Sequence, residues 1–157
     1  MNEAVVPESE AINCFQAAIK VNGHVYPTVE HYYQACKLYQ LSGPKLASEL
    51  RSIREAGQAK VISRKLLREA GVSLHKIEEW KYHEAPLLLH HALVHKFVQH
   101  SDLSDMLVQT GNAILAHSYD HENTFATGCG THEVLDWAKR NSGRIIQVPV
   151  VFICHLL

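Results

Sequence analysis

The fold is decided by residues 17–41, which read AAIKVNGHVYPTVEHYYQACKLYQL. Apolar and polar residues alternate up to Asn22-Gly23, a pair that tolerates the positive φ angles of a tight turn, so the first part of this stretch predicts a β-hairpin. Thr28 then stands where its hydroxyl can accept a hydrogen bond from a first-turn amide. A helix over about Val29–Leu41 is predicted to follow and to end before Gly43.

Outward from this stretch, most of the chain has helical periodicity. The balance predicts a mainly α fold (α+β with a minor β part), built as a compact single domain with an N-terminal β-hairpin. The expected further elements are helices over about Pro44–Ala56 and Gln58–Ala70 with Gly57 and Gly71 as stops, a short helix capped by Ser73 that carries Trp80, helices over Pro86–His100, 101–111 and 131–141, and a short strand over 113–118.

The predicted helix after the hairpin presents a carboxylate, an amide and an ammonium group on one face. Glu30, Gln34 and Lys37 are spaced by four and three residues, opposite a predicted core stripe of Val29, Tyr32/Tyr33, Cys36 and Tyr39. One interpretation is a solvated ladder, worth a few tenths of a kcal/mol per pair. The other is a site in which a half-buried carboxylate near aromatic rings holds or activates water.

A basic run follows between Lys45 and Arg68, with seven basic and two acidic residues. Lys60, Arg64 and Arg68 lie four residues apart and make one helix edge positive. The edge suits phosphate groups of a nucleotide, a sugar phosphate or a nucleic acid. A solvated helix face remains the alternative.

Twelve histidines raise the question of a metal site. His91 and His95 have a spacing that zinc ligands use, but Ala92 stands where a HExxH motif needs glutamate, and no third ligand is evident. The four cysteines contain no CxxC pair. We therefore predict surface or half-buried histidines and no metal.

Composition places the chain among ordinary globular proteins. It has 157 residues, a formal net charge of −1 and 46% apolar residues, enough for a core without disulfides. The first ten residues lack the features of a signal or transit peptide, and the apolar run 145–157 is too short to span a bilayer. We expect a cytoplasmic protein, with the nucleus as the alternative and no membrane partner.

Residues 23–37, GHVYPTVEHYYQACK, resemble the signature of the NADAR (YbiA-like) family, which reads G-x-x-[YF]-x-[ST]-x-EH-x-x-Q-x-x-K. Further motifs are similar in the same order over about residues 11–130. They are AK-x-x-GR at 59–64, with Ser63 in place of the glycine, Trp80 followed by AL-x-x-KF-x-Q at 92–99, TG at 110–111 and the motif aspartate at Asp120. Asn13 matches an N-terminal asparagine.

The resemblance is weaker toward the end of the sequence. The family's WG-x-G motif corresponds to Phe125-Ala126-Thr127-Gly128, displaced from Asp120. The basic residue usual after the tryptophan is not evident, since Glu84-Ala85 occupy that region. We expect a flexible N-terminus over 1–10, a NADAR-like domain over 11–143 and a divergent apolar tail over 144–157.

The resemblance implies a YbiA-like helical fold and hydrolysis of an N-glycosidic bond, without metal or cofactor. The implied substrate is nucleotide-like or a sugar phosphate, of ribosylamino-pyrimidine phosphate or ADP-ribosyl-guanine type, with ADP-ribosylated nucleic acid as a further candidate partner. It implies Glu30 and Asp120 as catalytic residues and, as substrate-binding residues, Asn13, Gln34, Lys37, Lys60, Arg64, Trp80, Lys96, Thr110, Gly111 and Phe125.

Two other hypotheses stay open. The departures near Phe125 and at the end of the chain are compatible with a weakened or inactive module that binds ADP-ribose or a related nucleotide. They are also compatible with an unstable chain whose apolar end leaves the core incomplete.

Overall fold

The computed structural model describes residues 16–109 and 128–141. The chain divides into two compact units, one of residues 10–101 and one of residues 1–9 with 102–157. The described elements of the first unit are strands β1 (Ile19–Val21) and β2 (His24–Tyr26), helices α1 (Val29–Ser42), α2 (Pro44–Ser48), α3 (Ala56–Glu69), α4 (Leu74–His83) and α5 (Ala85–Gln99), and a 3₁₀ turn at Glu49–Ser52.

The described part of the second unit is helical. Helix α6 (Ser101–Gln109) begins at the boundary between the units, and a 3₁₀ turn at Thr131–Glu133 leads into helix α7 (Val134–Asn141). The predicted helix over 131–141 is therefore present, with a 3₁₀ first turn. The predicted strand over 113–118 and the tail over 144–157 lie outside the described residues.

The predicted hairpin and the helix after it are confirmed. β1 and β2 pair antiparallel with Val21 opposite His24, and Asn22 and Gly23 have φ angles of 49° and 82°, as a tight primed turn requires. The Thr28 hydroxyl caps α1 by accepting a hydrogen bond from the His31 amide.

α1 is the central helix of the first unit, because α2, α3, α4, α5 and β2 all pack on it. Leu38 of α1 is fully buried. Each such buried aliphatic side chain stabilises the fold by roughly 1.5–3 kcal/mol. The other large core residues come from the elements around it, and include Ile19, Val21, Leu50, Leu67, Trp80, Leu89 and Leu93.

Two details of the predicted helices were wrong. Tyr39, placed in the core stripe of α1, is 60% exposed, whereas Gln34, placed on the opposite face, is only 4% exposed. The stripe is rotated because helices pack on α1 from several sides. Gly57 lies inside α3 and does not stop a helix, since α2 ends at Ser48 and an extended link at Ile53 separates it from α3.

The hairpin is held against the end of α5 by a set of polar contacts that we call the Gln99 clamp. The Gln99 amide accepts from the Lys20 main-chain N–H (2.8 Å) and donates to the Lys20 carbonyl (2.9 Å). It also contacts Nδ1 of His95 at 3.0 Å, and His100 Nε2 lies 2.7 Å from the Ala18 carbonyl. The glutamine therefore continues the ladder of β1 as a strand would.

No helix within residues 16–109 and 128–141 is long and apolar enough to cross a bilayer.

Candidate functional site

Glu30 and Gln34 lie one turn apart at the start of α1, and the structure brings them into contact. Gln34 Nε2 donates to Glu30 Oε1 at 2.8 Å. Gln34 is 4% exposed while Glu30 is half-buried. A buried amide that holds one carboxylate oxygen fixes the direction of the other, as a carboxylate base requires.

Lys37 lies one further turn along α1, half-buried among charged side chains from three helices. Burial lowers the pKa of Lys37, the Glu30 carboxylate raises it, and the positive charges of Arg64 and Lys81 lower it again. Glu78 acts in the same direction as Glu30. Three cations thus share this region, a local excess of positive charge that favours an anionic ligand.

We call Glu30, Gln34, Lys37, Arg64, Glu78 and Lys81 the α1 polar cluster. It collects side chains from α1, α3 and α4 that lie up to 51 residues apart in the sequence. Its members come from helices that pack on α1, so the fold places charge where the sequence shows only separate helix faces.

Trp80 of α4 packs against the same face of α1. Its ring meets Tyr33 edge-on at 5.3 Å between centroids, Lys37 Nζ lies 5.9 Å from the ring, and the indole N–H donates to Gln40 Oε1. Trp80 is only 5% exposed, so its ring is packed between α4 and α1. Its predicted stacking on the leaving base remains a prediction.

The basic edge of α3 has the predicted arrangement, since Lys60, Arg64 and Arg68 are all exposed on this helix. Arg64 is the member whose charge acts on Lys37. Lys60 lies one turn before it along the same edge.

The remaining predicted residues fall into two groups. Lys96 is on α5 and is 2% exposed, a burial that lysine tolerates only with polar partners. The others lie outside the described residues, so their predicted roles stay predictions. These are Asn13, Thr110, Gly111, Asp120 and Phe125.

Lys81 and Glu78 are the members of this region that the sequence analysis missed. They lie three residues apart on α4 on either side of Trp80, which places them on one helix side. A search for charges flanking the tryptophan on its own helix would have found them. The family's motif order instead points to a basic residue a turn later, where this chain has Glu84-Ala85.

The phenol groups of Tyr26 and Tyr32 and the thiol group of Cys36 stay neutral at neutral pH. Burial raises the pKa of the Tyr32 phenol and that of the Cys36 thiol, which a hydrogen bond from Tyr32 only partly offsets. Tyr26 meets Tyr32 edge-on at 5.2 Å. A thiol with a raised pKa is a poor nucleophile, so the environment of Cys36 does not activate it.

The histidine pair of α5 lies at the surface of the helix, with His91 exposed and His95 half-buried. The His91 and His95 rings meet edge-on at 4.6 Å, and His95 contacts Gln99. Within the described ranges, no three His, Cys, Asp or Glu side chains are grouped closely enough to hold a metal ion.

The comparisons with known proteins agree with this architecture. The model of the NADAR domain family matches residues 5–144. The solution structure of the Escherichia coli protein YbiA superposes with a TM-score of 0.59 at 25% identity, covering 82% of this chain and 74% of that one. No curated protein sequence matches the chain significantly. Because the family model spans most of the 157 residues, this chain belongs to the NADAR family.

Proposed function

We propose that the protein hydrolyses the N-glycosidic bond of a ribosylated, phosphate-bearing substrate. The NADAR family is associated with N-glycosidase activity, and membership of this family together with the YbiA-like fold supports a glycosidase-type module. The observation that carries the proposal is the carboxylate of Glu30, held by Gln34 at 2.8 Å beside an excess of positive charge.

Cleavage of an N-ribosyl bond passes through an oxocarbenium-like state. By analogy with the cleavage of O-glycosides, one carboxylate stabilises this cation and a carboxylate activates the attacking water. Gln34 engages Oε1 of Glu30, so we assign activation of water to Oε2. Asp120 is the proposed second carboxylate, from its place in the motif order.

Phosphate recognition is assigned to the cations of the α1 polar cluster. The positive charges of Arg64 and Lys81 both disfavour the charged form of Lys37, and an anion bound beside Lys37 offsets that effect. Lys60 extends the positive edge beyond Arg64, and Lys96 is a further phosphate ligand by its motif position. A ribosylamino-pyrimidine phosphate and an ADP-ribosyl-guanine both carry the required groups, whether free or in nucleic acid.

We expect the protein to meet its substrate in the cytosol. The nucleus is the alternative if the substrate is ADP-ribosylated nucleic acid. Turnover is tested by incubating the folded protein with ribosylamino-pyrimidine phosphate and with ADP-ribosylated guanine nucleic acid, and by measuring the released base or ribose product. Glu30→Gln should lower turnover by a factor on the order of 10²–10⁴. Glu69→Gln is the matched control, because Glu69 is an exposed partner of Lys65.

No turnover of either substrate by folded wild type contradicts the proposal, as does equal turnover by Glu30→Gln. Calorimetric binding of ADP-ribose without turnover would favour the alternative of a nucleotide-binding module.

A further inference from the structure

Trp80 of α4 is almost completely enclosed, whereas a tryptophan that stacks on a ligand has to offer it a face of the ring. The side chain is only 5% exposed. It contacts three residues of α1, Tyr33, Lys37 and Gln40. These residues are spaced by four and three positions and so form one stripe along the helix. The contacts of Trp80 are therefore made to the helix that carries Glu30.

The two ends of this stripe fix the orientation of the indole ring. Tyr33 meets the ring edge-on, with 5.3 Å between the centroids, an arrangement that aromatic pairs favour. At the other end the indole N–H donates to Gln40 Oε1. Because the indole has one donor and no acceptor, this hydrogen bond determines which edge of the ring is turned toward Gln40.

Lys37 lies between these two contacts, with its ammonium group over the face of the ring. Nζ is 5.9 Å from the ring centroid, within the distance at which an aromatic ring attracts a cation. No acceptor atom of residues 16–109 and 128–141 lies within hydrogen-bond or ion-pair distance of this ammonium group. Within the described part of the chain, the ring is therefore the contact that directs the ammonium group.

The place of this ammonium group matters because a lysine side chain is long and flexible. A side chain that is not held loses conformational freedom when it binds a ligand, and this loss weakens binding. The ring attracts the charge without supplying an acceptor atom, so N–H groups turned away from the ring can still donate to a phosphate oxygen. Lys37 follows Glu30 by seven residues, on the same face of α1. The ring thus holds a cation on the side of the helix that carries the carboxylate.

We infer that Trp80 is a positioning residue that acts through Lys37: anchored by Tyr33 and Gln40, its ring holds the ammonium group where a phosphate group of the substrate binds. The inference deepens the proposed function and rests on it for its kinetic test. It also predicts a contact between Lys37 and the ring that can be measured without any substrate.

The first measurement is NMR of the lysine ε-methylene groups in the unliganded protein. We expect the Lys37 signal, assigned from its loss in Lys37→Met, to be shifted upfield by the ring current of Trp80. The shift should disappear in Trp80→Leu and be kept in part in Trp80→Phe, which retains a ring face. A Lys37 signal at the position of the exposed Lys45, or an unchanged shift in Trp80→Leu, would overturn the inference. This measurement is unaffected if the protein turns over neither substrate.

The second measurement compares the kinetics of Trp80→Leu and Trp80→Phe with those of Tyr82→Leu, a control that removes an exposed ring from the same helix. We expect KM for ribosylamino-pyrimidine phosphate to rise about fivefold in Trp80→Leu, the size of an exposed cation–π contact, with little change in kcat. Trp80→Phe should recover most of the loss, and the control should match wild type. Wild-type KM in folded Trp80→Leu, or a loss confined to kcat, would overturn the inference.

A double-mutant cycle with Lys37→Met separates this role from stacking on the base. If the ring acts through Lys37, Trp80→Leu should add little to the rise in KM that Lys37→Met already causes. A ring that stacks on the base acts independently of the ammonium group, so additive effects of the two substitutions would overturn the inference.

If wild type turns over neither substrate, the proposed function fails and calorimetric titration with ribose 5-phosphate, which carries phosphate and no base, replaces KM in the same cycle. The dissociation constant should rise in Trp80→Leu by the same factor as expected for KM. Unchanged affinity in this variant, or no binding by wild type, would overturn the inference.

Should Trp80→Leu not fold, Gln40→Leu takes its place, because it removes the acceptor of the indole N–H. Gln58→Leu, at an exposed position of α3, is the matched control. We expect a smaller ring-current shift of Lys37 and weaker binding of ribose 5-phosphate in Gln40→Leu, with neither change in the control. Wild-type values of both quantities in Gln40→Leu would overturn the inference.

Discussion

The α1 polar cluster and the Gln99 clamp are both built from polar side chains, but they differ in completeness. In the clamp the glutamine amide satisfies both main-chain groups of Lys20. In the cluster three cations stand against Glu30 and Glu78, and Lys37 remains partly desolvated. A polar arrangement that serves the fold is complete by itself, whereas the cluster has the charge imbalance expected of a ligand site.

The difference between the two regions is tested most strongly by replacing Lys37, the central cation of the α1 polar cluster. Lys37→Met should lower affinity for a phosphate-bearing substrate about tenfold or more, because a hydrogen bond to a charged group contributes about 1.5–3 kcal/mol. The melting temperature of the unliganded protein should stay the same or rise, since burial of the Lys37 ammonium group, the largest cause of its lowered pKa, no longer opposes folding.

Calorimetric titration with ADP-ribose and a thermal melt measure the two quantities. Lys45→Met, at an exposed lysine of α2, is the control. Unchanged affinity for Lys37→Met would show that the cluster is a solvated helix face.

Replacing Gln99 of the clamp should lower the stability of the fold, in contrast to replacing Lys37. Gln99→Leu removes the partner of both main-chain groups of Lys20, and we expect a loss of about 1 kcal/mol in the free energy of unfolding. The exposed position of the clamp lets water replace part of the lost contacts, which limits the effect. Urea unfolding measures it, with Gln109→Leu at the exposed end of α6 as control. Unchanged stability would contradict the assignment of the clamp to the fold.

These two regions also show how far the sequence predicts the structure. The hairpin, the Thr28 cap and α1 follow from local signals, since the Asn22-Gly23 turn and the cap depend only on neighbours in the chain. The approach of Lys81 to Lys37 depends on how α4 packs on α1, which local periodicity does not encode. For the same reason the core stripe of α1 was misplaced at Tyr39.

The stability of the fold should depend on pH through His31, which is buried in the first turn of α1. Burial lowers the pKa of His31 below its usual 6.5, against the opposing effects of Ile53 and the facing carboxylate of Glu55. A group with a lowered pKa in the folded state contributes its full stability above the unfolded pKa, and the contribution is lost as pH falls through the folded pKa. Wild type should therefore lose more stability than His31→Gln on acidification below about pH 6.5.

Chemical unfolding of both proteins between pH 5 and 8 measures this difference, and parallel curves would contradict the prediction. Because the comparison is made between two variants, carboxylates common to both cancel.

The smallest effect is expected at Ser63 of α3. This residue is fully buried, and its hydroxyl has no hydrogen-bond partner among the described residues. Ser63→Ala should leave the free energy of unfolding unchanged or raise it by about 1 kcal/mol or less. Ala59→Ser, which adds a hydroxyl to another fully buried position of the same helix, should be destabilising. A clear loss of stability in Ser63→Ala would show that the hydroxyl is paired.

The most direct test of the account is to measure turnover and melting temperature for Glu30→Gln and Gln99→Leu side by side. The account predicts that Glu30→Gln loses turnover and keeps the wild-type melting temperature, while Gln99→Leu melts at a lower temperature and retains turnover below its melt. Wild-type turnover in Glu30→Gln, or a loss of turnover confined to Gln99→Leu, would contradict the assignment of the α1 polar cluster to function.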